Sequence, residues 1–243
     1  AEAEVQSLEA SVRRAVERHG PALVRGLRER GWWASDVPVL PKSSRGPMRR
    51  EVEALWGAGT FRKSQSVAGT TYYDKEHVFA TEIGGDKYSL APLMVHYTVS
   101  TGQAIAELIN REFPEARLSG QYIGNKLNMC VGSGASFDAH LDLGVAEKPF
   151  NRKLTLLLYL NGGWRPELGG KITLLGEGST EEEAAQSASG ADSGLPASLA
   201  PAGGRWVAFW SDRMLHRVEP SFAPRGIAEY RCSYTIWFCS GGP

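Results

Sequence analysis

From residue 121 onward the chain breaks into seven short segments, 121–131, 136–141, 153–160, 171–175, 205–210, 216–218 and 231–238, divided by Gly- and Pro-bearing stretches. Short runs rich in β-branched and aromatic residues between such punctuation read as strands. Seven of them in about 120 residues predict an antiparallel sandwich or jelly roll.

The first 120 residues read as helices instead. Val5, Leu8, Val12, Ala15 and Val16 recur at helical spacing, and Gly20 is the expected stop. Pro21 suits the first turn of a second helix reaching about Arg30. Met48 to Trp56, behind Pro47, reads as a third, and Pro92 opens a fourth through Phe113 with Leu93, Tyr97, Ala104, Leu108 and Ile109 as its buried stripe. Trp32 and Trp33 are expected to tie the helices to the strands, and His96 to be structural.

With 243 residues the expectation is one domain spanning 1–243. It is of mainly β (α+β) class: a sandwich or jelly roll over 121–243, flanked by mainly helical support over 1–120. Residues 177–204, mostly Glu, Ala, Ser and Gly, carry too little apolar surface to offset their ordering entropy and are expected to form a mobile insertion.

Lys plus Arg and Asp plus Glu both total 27, so no net field draws the chain to nucleic acid or an anionic membrane, and neither is an expected partner. No run of 18 apolar residues occurs and the stretch AEAEVQSLEASVRRAVERHG is charged throughout, so neither a membrane span nor a signal peptide is expected. Three cysteines without a CxxC pair argue against a disulfide framework and a thiolate metal site, and for an intracellular reducing compartment, cytoplasm or nucleus.

The chemically informative element is His140-Leu141-Asp142. In an extended segment alternate side chains share a face, so His140 and Asp142 point one way and Leu141 the other. Of five histidines only His216 lies downstream, which makes it the one candidate for a third ligand on a later strand. Two imidazoles and a carboxylate leave half an octahedral sphere open, the donor set of oxygen-activating iron(II) sites. HxD alone is weak, because a surface His beside a chance carboxylate is commoner. Arg231 opens the apolar run RCSYTIWF, and its planar fork suits bidentate carboxylate binding in a buried pocket, although an exposed strand-end Arg reads similarly.

From Asn125 to Phe238 the sequence resembles the catalytic core of the prolyl 4-hydroxylase group of iron and 2-oxoglutarate dioxygenases. The segments that carry the resemblance are HLD at 140–142, RKLTLLLYLNGGW at 152–164, GGKITLL at 169–175, FWSDRMLHRVEP at 209–220 and RCSYTIWF at 231–238. It implies a double-stranded β-helix (jelly roll) core with N-terminal helical support, Fe(II) held by His140, Asp142 and His216, and 2-oxoglutarate held at its distal carboxylate by Arg231 with help from Tyr159. Dioxygen is then the second substrate, and ascorbate a reductant the group can use. A plain core aromatic remains open for Tyr159, as a solvated strand-start residue does for Arg152, which the resemblance places near substrate.

Hydroxylation of a C–H bond in a peptidyl proline or other protein residue is the implied reaction. The alternatives are oxidation of a free amino acid, another small molecule or a modified nucleobase, or a catalytically silent binding module of the same fold. Two departures from the group matter. Arg225 sits in an unusually long 216–231 connection and reads as a loop residue, and Cys130 stands where oxygen-sensing prolyl hydroxylases carry a tyrosine. Trp164, Trp210 and Trp237 are expected in core or rim packing rather than as a base-stacking platform.

Overall fold

A computed structural model describes residues 2–68, 71–143, 151–189 and 193–240. Two antiparallel sheets face each other. Along the chain the larger sheet takes β1 (Trp32–Ala34), β2 (Arg62–Ala68), β3 (Thr71–Thr81), β4 (Leu118–Cys130), β6 (Asn151–Tyr159), β9 (Trp206–Trp210) and β11 (Arg231–Ser240), and the smaller takes β5 (Ala135–His140), β7 (Ile172–Glu177), β8 (Ala197–Leu199) and β10 (Met214–Ser221). Their spatial orders are β1-β9-β6-β11-β4-β3-β2 and β5-β10-β7-β8.

All seven sequence-predicted strands are present. The central strands β6, β9 and β11 are buried on both faces, which is why they read as near-continuous apolar runs. Along β6, Leu154, Leu156 and Leu158 face the helices, while Leu157 and Tyr159 face the smaller sheet with Ile172, Leu174 and Val218.

The helices α1 (Glu2–Arg30), α2 (Lys42–Gly57) and α3 (Pro92–Glu112) cover the outer face of the larger sheet. The predicted break at Gly20–Pro21 does not occur, and α1 runs straight through it. A Cβ on Gly20 would sit 3.1 Å from Leu108 of α3, so the glycine serves a close helix crossing rather than a stop. Pro21 forfeits an N–H and costs about 3 kcal/mol in a helix interior. Burial of Leu8, Val12, Leu23 and Leu27 on both sides of it outweighs that cost. The α3 N-terminus is capped from α2, where the Glu51 carboxylate accepts from the backbone N–H groups of Leu93 and Met94 at 2.9 Å each.

Three strands fall in the half expected to be helical. Trp32 and Trp33 lie in β1, which pairs with β9, and their side chains enter the inter-sheet core and the helix-side core respectively, so they do join the two layers. The hairpin β2–β3 extends the larger sheet beyond β4. Its polar sequence gave no strand signal, because pairing to β4 rather than an apolar face holds it.

The insertion also differs from expectation. It carries α4 (Glu181–Ala188), closed by a Thr180/Glu183 capping box, and β8, paired to β7; residues 190–192 lie outside the described set. Ala184 is fully buried against β7, where Gly176 has φ +149° and an added Cβ would come within 2.1 Å of the Ala184 carbonyl oxygen. Small residues in close contact order this segment where large apolar ones are lacking. The three cysteines are buried, and no helix among the described residues is long and apolar enough to cross a membrane.

Candidate active site

Antiparallel register brings the HxD residues to the distant histidine. His140 ends β5 and pairs directly with His216 of β10, and Asp142 follows two residues on. The imidazole ring centres are 4.4 Å apart. Nε2 of His140 and of His216 lie 3.8 and 3.9 Å from the two Asp142 oxygens, and one donor atom from each residue falls within 4.8 Å of the others. Those gaps exceed hydrogen-bond range, so the three donors do not satisfy one another.

Both rings are oriented by the backbone. Nδ1 of His140 lies 2.7 Å from the Asp138 carbonyl and Nδ1 of His216 lies 3.1 Å from the Met214 carbonyl. Because a carbonyl only accepts, each Nδ1 carries the proton, and the Nε2 lone pairs face the cluster. Burial drives the His216 pKa down to about 4 against the attraction of Asp142, so its imidazole is neutral at neutral pH. Burial opposes the charge on Asp142, but the facing histidines, the Trp237 indole and the Thr155 hydroxyl outweigh it and hold the carboxyl below its ordinary range.

Thr155 donates to Asp142 Oδ2 at 2.9 Å and meets the Ser211 hydroxyl at 2.8 Å, a buried relay that fixes the carboxylate plane. Removing such a support typically costs 10–100-fold in metal affinity. Thr155→Val is expected to weaken iron(II) binding by roughly that factor while leaving the fold intact, as read by anaerobic metal titration and circular dichroism.

Arg231, at the start of β11, is 4% exposed. Its guanidinium donates to the Gly170 carbonyl at 2.7 Å, to Ser233 Oγ at 3.0 Å and to the Tyr159 hydroxyl at 3.2 Å. All three partners are neutral, and among the described residues no carboxylate pairs with it. A buried cation in that state is costly unless an anion joins it. Room for its side chain comes from Gly170, at φ +69°, where a Cβ would lie 2.8 Å from Arg231 Cδ. Tyr159 is fully buried and meets Arg231 from behind, stacked with its ring centre 5.1 Å from the guanidinium carbon.

One cavity of about 850 Å³ joins these groups, lined among others by His140, Asp142, His216, Arg231, Ser233 and Trp237. Asn128 lines it too, its Oδ1 buried without a partner. Arg152 is on the same wall with its guanidinium 3.8 Å over the Trp237 ring. The donor set and the unpaired buried cation both fit an iron(II) centre with a dicarboxylate beside it.

The remaining expectations fall elsewhere. Arg225 is a loop residue that ion-pairs with Glu229, and His96 sits on α3 between Glu9 and Tyr88, a structural role. Trp164 and Trp210 donate to backbone carbonyls of Gly169 and Leu27. Cys130 is buried directly opposite Arg231, and burial pushes its thiol pKa up. Sequence reasoning missed Thr155, Lys75 and Lys126, all at or beside the cavity. The alternation in Lys126-Leu127-Asn128-Met129-Cys130, with Leu127 and Met129 turned to the helices, could have placed Lys126 on the inner face.

Residues 126–239 match the family model described as the 2OG-Fe(II) oxygenase superfamily. This segment is a 2OG-Fe(II) oxygenase domain. Its cofactor is iron(II) and its cosubstrates are 2-oxoglutarate and dioxygen. The enzyme is thus a 2-oxoglutarate-dependent dioxygenase with the jelly-roll core of that superfamily. No curated protein matches the sequence.

Among solved structures, the oxygenase is similar to a Pseudomonas putida prolyl-4-hydroxylase at 21% identity and TM-score 0.64, over 91% of this chain and 98% of that one. A prolyl hydroxylase from Trichoplax adhaerens, in complex with a hypoxia inducible factor oxygen degradation domain peptide fragment, aligns at 20% identity and TM-score 0.71, over 91% and 89%. EvdO2 from Micromonospora carbonacea var. aurantiaca, complexed with 2-oxoglutarate, aligns at 14% identity and TM-score 0.54, over 90% of each chain. The fold is therefore prolyl-hydroxylase-like.

Proposed function

We propose that this oxygenase hydroxylates a residue of a peptide or protein, proline first. His140, Asp142 and His216 hold the iron, and Arg231, braced by Tyr159, holds the distal carboxylate of 2-oxoglutarate. The observation that carries this reading is the cavity that joins three converging metal-type donors, which do not satisfy one another, to a buried guanidinium without an anion among the described residues. Arg152, on the cavity wall above Trp237, contacts the substrate.

When bound, iron(II) with 2-oxoglutarate and dioxygen supplies the oxidant for a C–H bond, with succinate and carbon dioxide as coproducts. The chain's own residues position and insulate. The backbone-held Nδ1 protons present both Nε2 lone pairs, and Thr155 keeps the Asp142 carboxylate in register with them. Arg231 offers two N–H donors in a plane, and Tyr159, held neutral by burial, accepts from the guanidinium and keeps it aimed. Leu157, Ile172 and Val218 line the same cavity and exclude water from the reacting position.

A succinate-coupled screen of proline-containing peptides beside free amino acids and nucleosides tests the substrate class. A mass gain of about 16 Da on a peptide alone supports the reading. Succinate formation coupled only to a small molecule or nucleobase would replace it with the alternative.

A further inference from the structure

Three more cations line the cavity beyond Arg231, each on a different strand: Lys75 of β3, Lys126 of β4 and Arg152 of β6. None forms an ion pair with a described residue, and each is drawn below its ordinary pKa first by burial. Lys75 falls to about 8, and repulsion from Lys126 adds to the effect. Lys126 in turn feels Arg152, so the three form one electrostatic row.

Aromatic rings hold the two ends of that row beside the metal-type cluster. Lys75 Nζ lies 4.2 Å from the centre of the Phe137 ring, which stacks on His140 with ring centres 6.4 Å apart. Arg152 lies on Trp237, whose indole adjoins Asp142. Cations docked on rings beside His140 and Asp142 thus stand at the edge of the metal-type cluster.

Loading does not neutralise this row. Iron(II) and 2-oxoglutarate offset each other's charge, and Asp142 offsets Arg231, which leaves the three cations in surplus. The acids near them, Asp74, Glu76 and Asp138 at the rim and Glu82 close by, are exposed, and Asp74 is already engaged by Lys63 and Gln65. Exposed charges in water compensate partly buried ones poorly.

We propose that the substrate is an acidic peptide, with carboxylate side chains flanking the hydroxylated residue that are taken by Lys75 and Arg152 on either side of the cluster and by Lys126 between them. This inference rests on the peptide-hydroxylase reading and names its substrate class. A chain-terminal carboxylate offers the same chemistry, so amidated and free-acid peptides separate the two sources.

The test pairs amidated proline peptides bearing flanking Asp with their Asn counterparts. Binding to the full chain loaded with manganese(II) and 2-oxoglutarate is measured by calorimetry, and turnover is measured with iron(II). Asp peptides are expected to bind roughly tenfold or more tightly, with the preference shrinking as salt rises. Lys75→Met combined with Lys126→Met removes that preference, and Lys126→Glu inverts it toward peptides with flanking Lys. Equal binding and turnover of Asp and Asn peptides, or a preference that survives in the double variant, overturns the acidic-peptide inference and leaves peptide hydroxylation standing. A preference for free-acid over amidated peptides, whatever their side chains, assigns the row to a chain terminus and overturns the flanking-residue assignment. If neither peptide binds or is hydroxylated, the peptide reading fails and the inference fails with it.

Discussion

Replacing Asp142 or His216 by alanine is expected to abolish iron(II) binding and lower turnover by more than about a thousandfold, without unfolding the chain. Each supplies one of three converging donors, so its loss removes a third of the protein's hold on the metal. The stability signature is as informative as the activity. Asp142 is a nearly buried carboxylate that accepts from Thr155 and faces two imidazoles at 3.8 and 3.9 Å, and these groups hold it below its ordinary pKa, so its removal forfeits favourable interactions even in the metal-free protein. Metal-free Asp142→Ala should therefore melt at or below the wild-type temperature. Added metal at about a hundred times its Kd stabilises the wild type by about 2.7 kcal/mol and the variant not at all. Differential scanning calorimetry with and without metal reads both effects; equal metal stabilisation of the two proteins would remove Asp142 from the site.

Arg231→Leu is expected to weaken 2-oxoglutarate binding by roughly 30-fold to more than a thousandfold, equivalent to about 2–5 kcal/mol for truncating one side of a buried charge pair. Iron(II) affinity should be untouched, because Arg231 contacts Gly170, Ser233 and Tyr159 rather than the triad. Arg231→Lys is expected to fall between the two, since a point charge replaces one side of a planar fork and leaves the Gly170 carbonyl and Tyr159 hydroxyl with poorer partners. Calorimetric titration of the cosubstrate into metal-loaded protein measures the series. A Leu variant with wild-type affinity would mean that the carboxylate is held elsewhere in the cavity.

How far the sequence spoke depended on what holds each element. The barrel strands and α3 are held by apolar burial, so periodicity found them with bounds close to those observed. His140 and Asp142 were legible because strand alternation fixes their common face, and His216 because no other histidine follows them. The β2–β3 hairpin is held by edge pairing, α4 by a capping box and the fit of Ala184 against Gly176, and the middle of α1 by contacts either side of Pro21. The first two leave no apolar stripe in the local sequence, and in α1 the stripe continues across a Gly-Pro pair that reads as a stop and restart. The site shows the same division. Arg231 announced itself by opening an apolar strand, whereas Lys75 rides on the unread hairpin, and Thr155 passes for one more residue of a buried strand until the fold brings Asp142 to its hydroxyl.

The central claim is that His140, Asp142 and His216 hold one iron(II) whose open positions take 2-oxoglutarate. Anaerobic titration of the protein with iron(II) and then 2-oxoglutarate, followed by visible absorption, tests it most directly. A weak charge-transfer band saturating at one iron per chain, seen only with both additions and lost in His216→Ala, is the predicted result. Iron bound without any such band, or a band unchanged in His216→Ala, would contradict it.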